Sequence, residues 1–316
     1  MNNPFEDFMH IYQSMGPHIH RTPILQSRQT NERAGGDLYF KCENFQRMGA
    51  FKMRGAVAAL QGLTEEERAQ GVVTHSSGNF AQAVSLAARS LGLSAYIVMP
   101  ENAPAVKKAA VRSYGGAVIE VESTLEAREA AAQKIMKEKG ARFLHPSNDY
   151  RVILGQGTAA AELLFEIPDL DLVLTPVGGG GLLAGTSIAV HYLGQAGCQT
   201  IGVEPSTVND AYQSFYNGTI QAATGGLTVA DGLRTQLGDI NFPMIQKYVT
   251  DIVLVEEAEI IEAMRWIWER LKIVVEPSSA VPLAAAFKQS WTGKIGIIIS
   301  GGNVDLNQLP FNSLNR

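Results

Sequence analysis

The stretch Leu172-Val173-Leu174-Thr175-Pro176-Val177-Gly178-Gly179-Gly180-Gly181-Leu182-Leu183-Ala184 decides the fold. An apolar run of strand length meets four glycines, and a helical pattern then continues to Leu193. Strands that are apolar throughout, rather than alternating, belong to parallel sheets covered on both faces. The same pattern recurs in both directions. Further strands are expected at Leu38–Cys42, Gly71–Thr74, Ala95–Met99, Ala117–Val121, Thr200–Val203 and Ile295–Ser300. Helices are expected at Asn79–Ser90, Thr124–Lys139, Gly181–Leu193 and Glu256–Lys272. This alternation makes an α/β protein. Residues 70–148 hold enough elements for a small inserted lobe, with 1–69 and 149–316 forming a larger one.

Composition bounds the function. The chain has 316 residues, 46% of them hydrophobic and 18% charged, with a formal charge of -5. That excludes a disordered chain and a generally basic nucleic-acid binder. Two cysteines, Cys42 and Cys198, are too few for a disulfide framework. The N-terminus lacks a signal-peptide core and no apolar stretch is long enough to span a membrane, so a soluble cytoplasmic protein is expected. The 31 glycines exceed the roughly 22 of average usage.

The excess gathers at strand ends. Gly178 to Gly181 let backbone amides converge on an anion at a helix N-terminus, a design suited to phosphate; a tight turn is the bland alternative. Ser76-Ser77-Gly78-Asn79 and Ser300-Gly301-Gly302-Asn303 also follow strands, where ligands of open α/β sheets gather. Taken alone, the first of these is an ordinary helix cap. A rival reading takes Gly179-x-Gly181-x-x-Ala184, with Glu204 closing the next strand, as a dinucleotide fingerprint and the protein as an NAD-dependent oxidoreductase. A non-catalytic ligand-binding protein is a further alternative. Finally, Phe51-Lys52-Met53 places one lysine between apolar neighbours, where a desolvated amine becomes a nucleophile.

Together these motifs carry a resemblance. Phe51-Lys52-Met53-Arg54-Gly55-Ala56, Ser76-Ser77-Gly78-Asn79, Gly155-Gln156-Gly157-Thr158, Gly178 to Gly181, Ala230-Asp231-Gly232 and Ser300-Gly301-Gly302-Asn303 span nearly the whole chain. In that order they resemble fold type II pyridoxal-phosphate enzymes, the serine racemase and serine/threonine dehydratase group. The resemblance implies two open, twisted, mostly parallel sheets flanked by helices, and a small amino-acid substrate. It implies that Lys52 forms the Schiff base with pyridoxal phosphate, that Phe51 lies against the cofactor, and that Asn79 bonds its ring hydroxyl. Gly178, Gly179, Gly180, Gly181 and the amide of Leu182 would hold the phosphate. Ser300 would face the pyridine nitrogen, and Ser76, Ser77 and Gly78 the substrate carboxylate.

The expected activity is dehydration, a β-elimination from serine, threonine or 3-hydroxyaspartate that yields a 2-oxo acid and ammonia. Racemisation of serine or aspartate is the alternative, alone or alongside, with Ser77 as the second acid–base. The chain departs from the family pattern at Phe80, where a histidine is common, and at Ser147, where racemase relatives often place asparagine near the substrate. It also ends shortly after Ser300, so feedback inhibition through an appended regulatory domain is not expected. Relatives bind magnesium or calcium through positions matching Glu204, the Val208 carbonyl and Asp210, donors that suit a hard cation. Family members are usually homodimers.

Overall fold

The computed structural model describes residues 4–289 and 291–311. Its strands are β1 (Ile24–Leu25), β2 (Asp37–Cys42), β3 (Val72–His75), β4 (Ala95–Pro100), β5 (Ala117–Val121), β6 (Arg142–Phe143), β7 (Leu172–Pro176), β8 (Gln199–Pro205), β9 (Asp251–Val255) and β10 (Lys294–Ile299). One sheet has the order β1-β2-β10-β7-β8-β9 and the other β5-β4-β3-β6. Every pairing is parallel except β1 with β2. All seven strands expected from apolar runs are present, which makes the chain an α/β protein with two sheets. Among the described residues no helix is long and apolar enough to cross a membrane.

Local chemistry explains the boundaries. Thr124 accepts the Ala127 amide at the start of helix Leu125–Lys139, and Gly140, at φ 70°, ends it. Gly71, expected to open a strand, instead closes helix Glu65–Gln70 at φ 79°, so β3 starts one residue later. The sequence pattern does not single out β1, β6 and β9, nor, among the helices, Lys52–Gln61, Tyr150–Glu166 and Pro277–Gln289. Helix Lys52–Gln61 is buried all round: Val57 and Leu60 share a core with Phe80 and Val84, and Gly55 lies against Val152. Helices Tyr150–Glu166 and Gly181–Leu193 touch through Gly157 and Gly185, where a β-carbon on either would strike the other's backbone. That contact sets the position of the glycine loop preceding Gly181.

Beneath helix Lys52–Gln61 lies a buried charge cluster. Arg54 donates to Glu43 at 2.7 Å and to Glu162 at 2.8 and 2.9 Å, and Lys41 Nζ lies 2.6 Å from Glu162. Two cations face two carboxylates, so the net charge is zero. Burial would lower the Arg54 pKa, but the paired carboxylates outweigh it and raise it. The cluster ties β2, helix Lys52–Gln61 and helix Tyr150–Glu166 together.

Candidate active site

β10 is the last strand in the chain yet lies between β2 and β7, so the loops leaving all three meet at one end of the sheet. The loop after β10 then reaches back to the turn before Lys52. Phe51 N donates to Ser300 O at 2.9 Å, Gly302 N donates to Gly49 O at 2.9 Å, and Ala50 bridges Gly301. A small antiparallel clasp therefore sets Lys52 beside Ser300.

Lys52 is half-buried by surface area but lies deep among protein atoms. Its Nζ donates to Pro146 O at 2.7 Å and sits 4.8 Å from the Phe51 ring and 5.8 Å from the Phe80 ring. Burial pulls its pKa down to about 7, against the opposing pull of the Glu276 carboxylate. Phe80, the residue that departs from the family pattern, is thus part of the apolar surround of the amine.

The glycine loop is both a cradle and a packing joint. The backbone ladder of helix Gly181–Leu193 begins with Ala184 N donating to Gly180 O, so the amides of Gly181, Leu182 and Leu183 precede it. Gly180 adopts φ 81°, which disfavours any side chain. A β-carbon on Gly178 would stand 2.8 Å from Leu233 Cα, and one on Gly181 2.6 Å from Gln156 Oε1. The close packing offered as the bland alternative is therefore present together with the open amides.

Side chains outside the motifs fix the loop. Asn241, fully buried, donates to Gly179 O at 2.8 Å and to Ser147 O at 2.9 Å. His145 Nδ1 accepts the amides of Ser147 and Asn148, at 3.2 and 2.8 Å, so the acceptor nitrogen is fixed. Burial pulls the His145 pKa down to about 4, helped by Lys52 and His75. Ser147 is buried with its hydroxyl toward Gly179, and so packs against the glycine loop. Gln156 Nε2 shares Pro146 O with Lys52, at 3.0 Å.

Asn79 is held from two sides. Its Oδ1 accepts from Asn303 at 2.9 Å, and its Nδ2 lies 3.1 Å from both oxygens of Glu276. With Oδ1 occupied, Asn79 can offer a cofactor hydroxyl only an N–H, which fits an oxygen that accepts. Burial raises the Glu276 pKa to about 7, opposed mainly by the Asn79 bond. Sequence reasoning missed Glu276 and Asn241 as contributors, and it quoted Gln156 in a motif without a role. The one signal was an acid directly after the apolar run Ile273–Val275. Ser76, Ser77 and Gly78 follow β3 and are half-buried; the Ser77 hydroxyl has no hydrogen bond among the described residues. Nothing lies within 4 Å of the position a Gly78 β-carbon would take.

The cation positions lie apart, at the end of β8. Glu204 is fully buried and accepts the amides of Ala211 and Tyr212 at 3.0 and 2.8 Å. Both Asp210 oxygens are buried with no partner. Burial raises Glu204 to about 8, against the opposing amides of Tyr212 and Ala211, and raises Asp210 to about 6. An orphaned buried carboxylate beside a second one suits a divalent cation. Among the described residues no cluster of three or more His, Cys, Asp or Glu side chains accompanies them. The same burial keeps Glu204 from serving as a ribose acceptor, which removes the support for a nicotinamide site.

Comparison with known proteins agrees with this geometry. A family model described as pyridoxal-phosphate dependent enzyme matches residues 15–301. A beta-hydroxyaspartate dehydratase of Paracoccus denitrificans (strain Pd 1222) is 46% identical over 311 residues, covering 98% of each chain. A serine racemase of Dictyostelium discoideum is 45% identical, covering 96% of each. Its crystal structure superposes with a TM-score of 0.92 over 95% of this chain and 98% of that one.

Proposed function

Because the chain belongs to the pyridoxal-phosphate dependent enzyme family, we propose that it dehydrates a β-hydroxy amino acid, serine, threonine or 3-hydroxyaspartate, to a 2-oxo acid and ammonia. The observation that carries this reading is Lys52: a half-buried amine of depressed pKa, set beside Ser300 by the bond from its neighbour Phe51, on the same sheet end as the glycine cradle.

Bound pyridoxal phosphate supplies an electron sink that acidifies the α-proton of an attached amino acid. The residues do the rest. The Gly178 to Gly181 loop and the Leu182 amide would hold the phosphate, with the helix N-terminus favouring its charge. Asn79 would donate to the ring hydroxyl, Ser300 would face the ring nitrogen, and Phe51 shields the lysine beside it. Ser76, Ser77 and Gly78 bind the substrate carboxylate. Lys52, neutral above about 7, takes the α-proton as general base.

Racemisation is the second reading, and the unbonded Ser77 hydroxyl supports it: that oxygen is available to exchange a proton with the substrate. Assay of serine, threonine and 3-hydroxyaspartate for ammonia release and for enantiomer formation tests both readings. Enantiomer formation without ammonia release overturns the dehydratase reading.

Glu204, the Val208 carbonyl and Asp210 would hold magnesium or calcium, with water completing the shell. The two free cysteines suit a reducing compartment, the cytoplasm. A homodimer is the proposed assembly. Residues 70–148 are the proposed small lobe; β3 to β6 all fall within it.

A further inference from the structure

We propose that Ser279 is a positioning residue that lets the Ser300 hydroxyl reverse its hydrogen-bond direction at the cofactor's ring nitrogen. The inference rests on the proposed placement of Ser300. Ser279 is fully buried and Ser300 is 2% exposed, so water does not complete their bonding. Ser279 Oγ accepts the Gly301 amide at 2.7 Å. It also lies 2.7 Å from Gly301 O and 2.9 Å from Ser300 Oγ.

A hydroxyl has one proton and two lone pairs. The Gly301 amide can only donate, so it occupies one lone pair of Ser279 permanently. The Ser279 proton then has two destinations. If it goes to Gly301 O, Ser300 donates to Ser279 and turns a lone pair toward the cofactor. If it goes to Ser300, the Ser300 proton points at the cofactor. Gly301 O tolerates either state, because Glu276 N also donates to it, at 3.1 Å. Both arrangements leave every buried polar group of the trio satisfied. The change is rotation of two O–H bonds; no covalent bond breaks.

The first arrangement accepts from a protonated ring nitrogen, with that proton drawn from solvent. The second donates to an unprotonated one. Without the Ser279 hydroxyl, the first arrangement strands the Ser300 proton with no inward acceptor, an unfavourable state for a buried donor. Ser279 therefore acts through Ser300, and its loss biases the ring nitrogen toward the unprotonated form.

The test uses holoenzyme reconstituted with pyridoxal phosphate isotopically labelled at the ring nitrogen. The nitrogen resonance is followed by NMR from alkaline to mildly acid buffer in wild type, Ser279→Ala and Ser300→Ala, and each apoprotein is melted as a folding control. In Ser279→Ala the nitrogen is expected to protonate at about tenfold higher proton concentration, the worth of one such bond. Ser279→Cys, a weaker acceptor of similar size, should lie between, and it takes the place of the alanine variant if that does not fold. Coincident wild-type and Ser279 variant curves, or a shift the other way, overturn the role of Ser279. A resonance that ignores Ser300→Ala overturns the placement of Ser300 as well.

Discussion

Asn79 Nδ2 stands 3.1 Å from both carboxylate oxygens of Glu276, and the two residues come from opposite sides of the cleft. Asn79 opens a helix packed on the four-stranded sheet, and Glu276 precedes the helix Pro277–Gln289 against the six-stranded one. A buried acid thus links elements packed on the two sheets as well as lining the site. Burial raises its pKa to about 7 from 4.5, so the folded state keeps a proton that the unfolded chain releases. The stability it contributes is complete below 4.5 and is lost as pH rises through about 7. Glu276→Gln removes that loss. The variant apoprotein is expected to melt above wild type, with a gap that opens across this window and is worth at most about 3 kcal/mol. A gap of constant size across the window contradicts it.

Lys52 should behave as an amine that is neutral near physiological pH. Its modification by an amine-reactive aldehyde, read on the Lys52 peptide of the apoprotein, is expected to rise with a midpoint of about 7 rather than near 10.5. Lys52→Ala should abolish turnover and the visible absorbance of the lysine-bound cofactor. Turnover surviving in that variant would sink the assignment.

Two glycines should respond in opposite ways. Gly181→Ala presses a methyl group against Gln156 and the Ser147 backbone, so the loop must shift. We expect cofactor affinity to fall by tenfold or more, on the order of one to two lost hydrogen bonds to the phosphate. Gly78→Ala meets no neighbour, so the apoprotein should melt as wild type while KM for the amino acid rises. Equal loss of stability in both variants would contradict the difference.

The cation site predicts a pH-dependent stabilisation. Without a cation, Glu204 and Asp210, raised to about 8 and about 6, lose their contribution to stability as pH rises through those values. Magnesium or calcium should therefore raise the melting temperature least in acid and most above about 8. Asp210→Asn should remove the response, and a cation effect that does not vary with pH would count against the site.

Arg54 should matter through folding alone. Arg54→Met strands Glu43 and Glu162 with one buried cation between them. Loss of one partner from such a cluster costs about 3–5 kcal/mol. Chemical denaturation of the apoprotein measures it, and a loss below 1 kcal/mol, the range of exposed pairs, would contradict the cluster's importance.

Strand positions were legible because buried parallel strands announce themselves as apolar runs. β1 and β6, two residues each, are too short to do so. Pro277–Gln289 was hidden by Pro282 inside the helix, a residue that argues against helix in isolation. The cofactor loops were legible as glycine and serine clusters. Their supports were not: Asn241 lies 62 residues from Gly179, and Glu276 197 residues from Asn79. Pairing over such distances leaves no local pattern, and only the acid after an apolar run hinted at one.

The central place of β10 has a consequence for synthesis. On the ribosome β2 and β7 emerge first, each with the edge that β10 will fill still bare. The clasp from Ser300 to Phe51 cannot close until nearly the whole chain has been made. The lysine near the start therefore waits on the last strand, and a nascent chain stalled before residue 294 lacks the strand that joins β2 to β7 and sets Lys52 beside Ser300.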